Sequence, residues 1–153
     1  MVVVRWAIQE ELSVVDGEMT KTWIHEQTDV GIAQFDKAME THYAESGGYI
    51  RDPREHVARI CNECNYLEAV KQIDWSKYLE PGCSVLDMGC GGGWLTAYLS
   101  RLEPTRTIYA LDSSKHYLSN MLPQVVQLMD GRWEKVQPIQ GLFSPLLLPD
   151  GSI

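Results

Sequence analysis

The sequence predicts an α/β fold, and three observations carry that reading. A short apolar run at residues 83–88 leads directly into glycines at 89, 91, 92 and 93. Behind them Leu95, Tyr98, Leu99 and Leu102 recur at i, i+3, i+4 and i+7, the period of a helix with one buried face. A second run rich in β-formers, residues 107–111, then ends in Asp112. Strand, helix and strand in that order describe a helix that returns the chain across a parallel sheet.

The totals bound the answer. At 153 residues the chain is long enough for one domain with a hydrophobic core. Apolar residues at 44% and charged residues at 22% match ordinary globular chains, so extended disorder is not expected. A formal charge of -8 repels phosphate backbones at long range, and no basic patch offsets it. Nucleic acid is therefore not an expected partner, and a small-molecule substrate is. The opening MVVVRWAIQEEL is interrupted by Arg5 and followed by acids rather than a small-residue cleavage site. No apolar stretch approaches the ~20 residues that span a bilayer. The expectation is a cytoplasmic protein with no membrane partner.

Three stretches organise the chain: an arm at 1–28 with no clear period, a helical lead-in at 29–80, and an α/β unit at 81–153. Ile32, Phe35, Met39 and Tyr43 predict an amphipathic helix over 29–45 that Ser46-Gly47-Gly48 ends. In a second helix Asp52 can cap, Pro53 suits the first helical position, and Glu55 gives a capping-box-like spacing. Its buried face is predicted as Val57, Ile60, Cys61, Cys64, Leu67 and Val70. Cys61 and Cys64 raise a metal or redox pair, but Cys83 and Cys90 flank a strand instead of forming a second close pair. They read as small hydrophobes on a helix face, and no metal is expected.

The Glu80-Pro81-Gly82 turn delivers the first strand, 83–88, whose continuous apolar character suits burial on both faces. After Asp112, Ser113 or Ser114 can cap the next helix, which Pro123 must kink or restart before Val125, Val126 and Met129 continue the apolar face. A third strand is predicted at 135–140. Pro138 within it removes a ladder donor, so this strand belongs at a sheet edge. A doubly wound sheet whose order begins 3-2-1 puts it there.

The glycines carry the function. A glycine turn between strand and helix lets backbone approach a ligand without β-carbons and aims helix N-terminal amides at it. The phosphate loop GxxxxGK[ST] is excluded by the lack of a following lysine. The dinucleotide pattern GxGxxG/A, started at Gly89 and Gly91, demands a small residue where Trp94 stands. What remains is DxGxGxG: Asp87, Gly89, Gly91 and Gly93, with Asp112 about twenty residues farther on, where a strand-tip carboxylate can accept from both hydroxyls of a ribose. Asp112 could alternatively cap the helix that follows, and Asp87 could simply form the strand-end turn.

This pattern resembles the class I S-adenosylmethionine-dependent methyltransferases, with VLDMGCGGG and YALDSS similar to their first two motifs in order and distance. The resemblance covers roughly 29–153. It implies a Rossmann-like methyltransferase fold with sheet order 3-2-1-4-5-7-6 and amino-terminal helices. The implied cofactor is S-adenosyl-L-methionine, leaving as S-adenosyl-L-homocysteine, and the implied activity is methyl transfer to a small-molecule or lipid-like acceptor. Cofactor contacts are then implied at Asp87, which helps place the ammonium, at Gly89, Cys90, Gly91 and Gly93, and at Asp112 and Ser113. Gly141 matches a family glycine after strand three, but Leu142 and Phe143 follow where an acid often contacts the adenine; they could flank the base or pack in the core. Tyr43, beside Ser46-Gly47-Gly48, could contact the sulfonium or pack at a helix end.

No catalytic residue is assigned. Methyl transfer needs near-attack geometry above all, and a base only where the acceptor must lose a proton. His25, His42, His56 and His116 read as surface or satisfied histidines. The chain stops at PDGSI, before the family's fourth strand, so an incomplete frame is expected, and the fragment alone need not be active. The edge of strand one would then be exposed for self-association or a partner. The alternatives are a non-catalytic S-adenosylmethionine-binding or partner-complemented module and, third, a nicotinamide-dependent reductase.

Overall fold

The computed structural model describes residues 52–143 together with residues 37, 38, 41, 148, 151 and 153. Lys37, Ala38 and Thr41 are helical, within the span predicted as the first helix. Tyr43 and the rest of the arm and first helix lie outside the described residues.

Helix α1, Pro53–Ala58, starts as its sequence dictates. Asp52 Oδ1 accepts from the backbone N–H of Arg54 at 2.7 Å and of Glu55 at 3.1 Å, a cap that contributes about 1 kcal/mol. Pro53 is the first helical residue, where its missing N–H costs nothing. The sequence predicts one helix through residue 70, and the structure breaks it. A π-helical turn, Arg59–Glu63, follows α1, and Asn65 then takes a left-handed conformation at φ 56° before α2, Tyr66–Lys71. Asparagine tolerates that region better than other non-glycine residues, which is why an interrupted helix keeps the apolar spacing of a continuous one. All six predicted face positions are buried or half-buried, while Ala58, Arg59, Asn62, Glu63, Tyr66 and Glu68 are exposed.

A short 3₁₀ turn, Trp75–Lys77, leads to the sheet. Strand β1, Cys83–Met88, is followed by α3, Trp94–Ser100, and by β2, Thr105–Asp112. A π-helical turn, Tyr117–Met121, precedes α4, Leu122–Leu128, with Pro123 in its first turn. Helical backbone runs without a break from residue 115 to residue 128, so the proline does not restart the helix, and a π turn directly precedes it. Strand β3, Val136–Gln140, completes a parallel sheet of three strands in the order β1-β2-β3. Val85 lies opposite Ile108, Asp87 opposite Ala110, and Asp112 opposite Gln140. Pro138 sits on an edge strand, as its missing donor requires. Strand β1 is the other edge among the described residues.

Side-chain alternation along the strands divides the core. On one face Ala97, Ala110, Leu122, Val125, Val126 and Val136 cluster, with Val57 and Leu67 of the lead-in packed against them. On the other, Leu111, Ile139 and Leu148 form a smaller cluster with Leu86 and Tyr109. The buried side of α3 differs from the predicted stripe. Thr96, Ala97, Leu99 and Ser100 are buried, whereas Leu95, Tyr98 and Leu102 are only half-buried. Small residues let this helix lie close to the sheet, and its buried hydroxyls are satisfied internally, so polarity is no bar to burial. Among the described residues no helix is long and apolar enough to cross a membrane.

Ser100 carries one such hydroxyl. Its Oγ donates to Ala97 O at 2.7 Å and accepts from Arg132 N at 2.8 Å, tying α3 to the approach to β3. Ser100→Ala strands the Arg132 amide and should lower unfolding free energy by about 1–3 kcal/mol in urea titration; an unchanged midpoint would contradict that tie.

Candidate functional site: the glycine turn after β1

The turn is built from backbone that side chains would strain. Gly89, Gly91 and Gly93 have φ of 76°, 51° and 86°, a region that costs an L-residue about 1–2 kcal/mol. The hydrogen bonds explain the alternation. Gly89 N and Cys90 N both donate to Leu111 O, at 2.8 and 3.0 Å, so the chain leaving β1 is folded back on the end of β2. Gly91 N donates to Asp112 Oδ2 at 2.8 Å. Gly93 N donates to Cys90 O at 2.8 Å, and Gly93 O accepts from Ala97 N to begin α3.

These bonds limit which amides could meet a ligand. The amides of Gly89, Cys90, Gly91 and Gly93 do not aim at a ligand; they turn inward to β2, to Asp112 and to the turn itself. Gly92 and Gly93 are buried, and of the four glycines only Gly91 has open space over its Cα.

Asp112 faces the turn. Besides Gly91, its Oδ1 accepts from Ser114 N at 2.9 Å, and its carbonyl accepts from Gly141 N at 3.0 Å. Ser114 Oγ in turn accepts from Tyr117 N at 3.3 Å, so Ser114 rather than Asp112 bonds the first turn of the following helix. The two amides each engage one oxygen of the carboxylate. Ser113 stands beside it, half-buried, its carbonyl accepting from Gln140 Nε2 at 3.0 Å.

Asp87 is more than a turn former. It is buried beneath the turn and accepts from Thr96 Oγ1 at 2.6 Å. Burial raises its pKa, the Thr96 hydrogen bond opposes that rise, and the negative charge of Asp112 adds to it. Cys90 differs from its expected role. Its side chain is 6% exposed and belongs to the core cluster, where burial, then the charges of Asp112 and Asp87, push the thiol well above its usual range. Its Sγ donates weakly to Gly91 O at 3.8 Å, within the turn itself.

Three contacts that the sequence did not announce surround the glycines. A Cβ at Gly93 would overlap Leu122 Cδ1, so this glycine is the point of close approach between turn and α4. A Cβ at Gly89 would lie 3.0 Å from Phe143 Cζ; the Phe143 ring rests on the turn, 60% exposed. Core packing therefore does not account for Phe143, while Leu142 is half-buried. At Gly92 a Cβ would lie 2.6 Å from His56 Nε2. Trp94 stacks on Tyr66 with ring centroids 5.9 Å apart, which anchors the start of α3 to α2. Of the predicted site, the structure thus brings together Asp87, Gly89, Gly91, Gly93, Asp112, Ser113 and Phe143. Tyr43 is outside the described residues. Thr96, His56 and Leu122 were missed, because a threonine, a histidine and a leucine carry no signal until the fold sets them against glycines.

Gly93→Ala combines a positive φ with an overlap that Leu122 must relieve, and should destabilise the chain by about 2–4 kcal/mol. Gly91→Ala, with open space around its Cβ, should cost only the backbone strain of about 1–2 kcal/mol. Urea denaturation of the two variants checks the difference, and equal losses would contradict the packing role of Gly93. No family model matches the chain, and no curated protein or solved structure matches it significantly.

Proposed function

We propose that the turn is the S-adenosyl-L-methionine site of a cytoplasmic methyltransferase unit with a Rossmann-like fold, acting on a small-molecule or lipid-like acceptor. One observation carries this reading: the amides of Gly89, Cys90, Gly91 and Gly93 are spent internally, and two carboxylates, Asp87 and Asp112, stand at the base of the turn. Phosphate is held by converging N–H donors and positive potential, whereas here four of the turn's amides are committed and the nearest charges are two carboxylates. A ligand with an ammonium, a sulfonium and two ribose hydroxyls suits what the turn holds: negative charge and a strand-tip carboxylate. The donor set fits the cofactor. The same chemistry weighs against a nicotinamide dinucleotide, whose pyrophosphate would face two carboxylates. The placement of Gly93 against Leu122 also answers the spacing argument, since the glycine needed for close helix approach comes one residue before Trp94.

The bound sulfonium would supply an activated methyl group for transfer to the acceptor, with S-adenosyl-L-homocysteine as the product. The chain's own residues do the positioning, on which such displacements chiefly depend. Asp112 would accept from the ribose hydroxyls while its own geometry is fixed by Gly91 and Ser114. Asp87, steadied by Thr96, would favour the ammonium, and that cation would in turn hold Asp87 ionised against its burial. Phe143 gives the mouth of the turn an apolar face against which a base can lie.

A non-catalytic, partner-complemented module remains a second reading, favoured by one feature. Strand β1 has a single neighbour among the described residues, and Met88 at its end is 51% exposed, an edge suited to pairing.

Titration calorimetry tests the ligand. The chain should bind S-adenosylhomocysteine and give no heat with NAD. Asp112→Ala, with its sheet verified by circular dichroism, should lose the S-adenosylhomocysteine signal. A preference of the unmutated chain for NAD, or undiminished binding by a folded Asp112→Ala, would overturn the assignment.

A further inference from the structure

His56 has no part in the chemistry above, yet it reaches the same turn from outside. It lies on α1, which packs against α4. A Cβ on Gly92 would meet His56 Nε2 at 2.6 Å, Cδ2 at 2.8 Å and Cε1 at 3.0 Å. The edge of the imidazole is thus seated on the bare Cα of Gly92, in a space that any other residue would fill. Nε2 is sealed from solvent and has no hydrogen-bond partner among the described residues. A histidine in that seat was expected to be satisfied or on the surface; it is neither, being half-buried with one nitrogen stranded.

We infer that His56 is a proton-sensitive latch: the neutral imidazole docks α1 on the glycine turn through Gly92, and protonation releases both. A stranded nitrogen is tolerable while it carries only a lone pair. Once it carries N–H and a share of positive charge, it needs an acceptor or water, and the face of Gly92 supplies neither. The surroundings do not soften this. Helix α4, LPQVVQL, has no ionisable side chain. The turn itself contributes only Cys90, whose thiol faces the core. Arg59, next along the lead-in, is the charge that bears on the ring, and after burial it is the second cause holding the His56 pKa below 6.5. The sign follows. Both folded and unfolded chains hold His56 neutral well above pH 6.5, so the latch is closed there; as pH falls below 6.5 the opened form takes the proton first, and the closed turn loses ground. The coupling holds whatever ligand the turn accepts, so its failure and the failure of the cofactor assignment are separate results.

The test is amide exchange followed by NMR at Gly91 and Gly93 between pH 7.5 and 5, corrected for intrinsic rates. In the unmutated chain, protection at both should fall by up to about tenfold per pH unit below 6.5, the limit for one linked proton. In His56→Leu, which keeps the ring's bulk in part and cannot titrate, it should stay level; Asp87 and Asp112 are present in both proteins and cancel. Should that variant not fold, titration of the His56 ring signals in the unmutated chain decides, with a midpoint below 6.5 expected together with the loss of protection. Level protection in the unmutated chain, an equal fall in His56→Leu, or a ring midpoint at or above 6.5 would each overturn the latch.

Discussion

The hydrogen bond from Gly91 N to Asp112 Oδ2, 2.8 Å long, is the constraint on which the site is organised. Asp112 is the last residue of β2, the central strand among the described residues, and three segments converge on it. Its carboxylate holds the turn after β1 through one oxygen and the entry to the next helix through the other, while its carbonyl receives the chain as it leaves β3 at Gly141. Hydrogen bonds to a charged acceptor are the strong ones; the carboxylate makes two of them and the main-chain carbonyl takes the third contact, so a single residue ties together the carboxyl ends of all three strands. That is also where parallel α/β sheets bind ligands, and under the proposed function the residue that assembles the turn is also the one that would read a sugar.

Building the site this way has an electrostatic consequence. The amides of Gly89, Cys90, Gly91 and Gly93 are committed to the fold, and Asp87 is buried within range of the Asp112 charge. Like charges held close under a dry turn cost stability in the unliganded chain. A cation arriving there relieves the cost, so part of the ligand's affinity would come from strain already present in the fold. His56 adds a second stored cost on the outer side of the same turn, a buried nitrogen without a partner. Unfavourable features gathered around one loop, in a chain whose helices and strands are otherwise locally consistent, are what functional sites look like.

Much of the fold was legible because the signals were local. Asp52-Pro53 set the start of α1, the run 83–88 matched β1 residue for residue, and Pro138 placed β3 at an edge. The failures share a cause, which is that tertiary contact decided them. Asn65 broke a helix whose apolar spacing survived the break. Thr96 and Ser100 took the buried side of α3 from more apolar neighbours because each could satisfy its hydroxyl internally. At the site, Asp112 and the glycines were legible from spacing, but the direction of the amides was not, since it depends on how the turn folds back on Leu111 O. Phe143 lies on Gly89 and His56 on Gly92 across gaps of 54 and 36 positions in the chain, contacts that no short-range pattern encodes.

The central claim is that the carboxylate organising the turn also grips the ligand's sugar. A crystal structure of the chain with S-adenosylhomocysteine tests it most directly. The account predicts both ribose hydroxyls within hydrogen-bond distance of the Asp112 carboxylate, with Gly91 N still donating to it. A ligand bound elsewhere, or bound at the turn with its ribose turned away from Asp112, would contradict it.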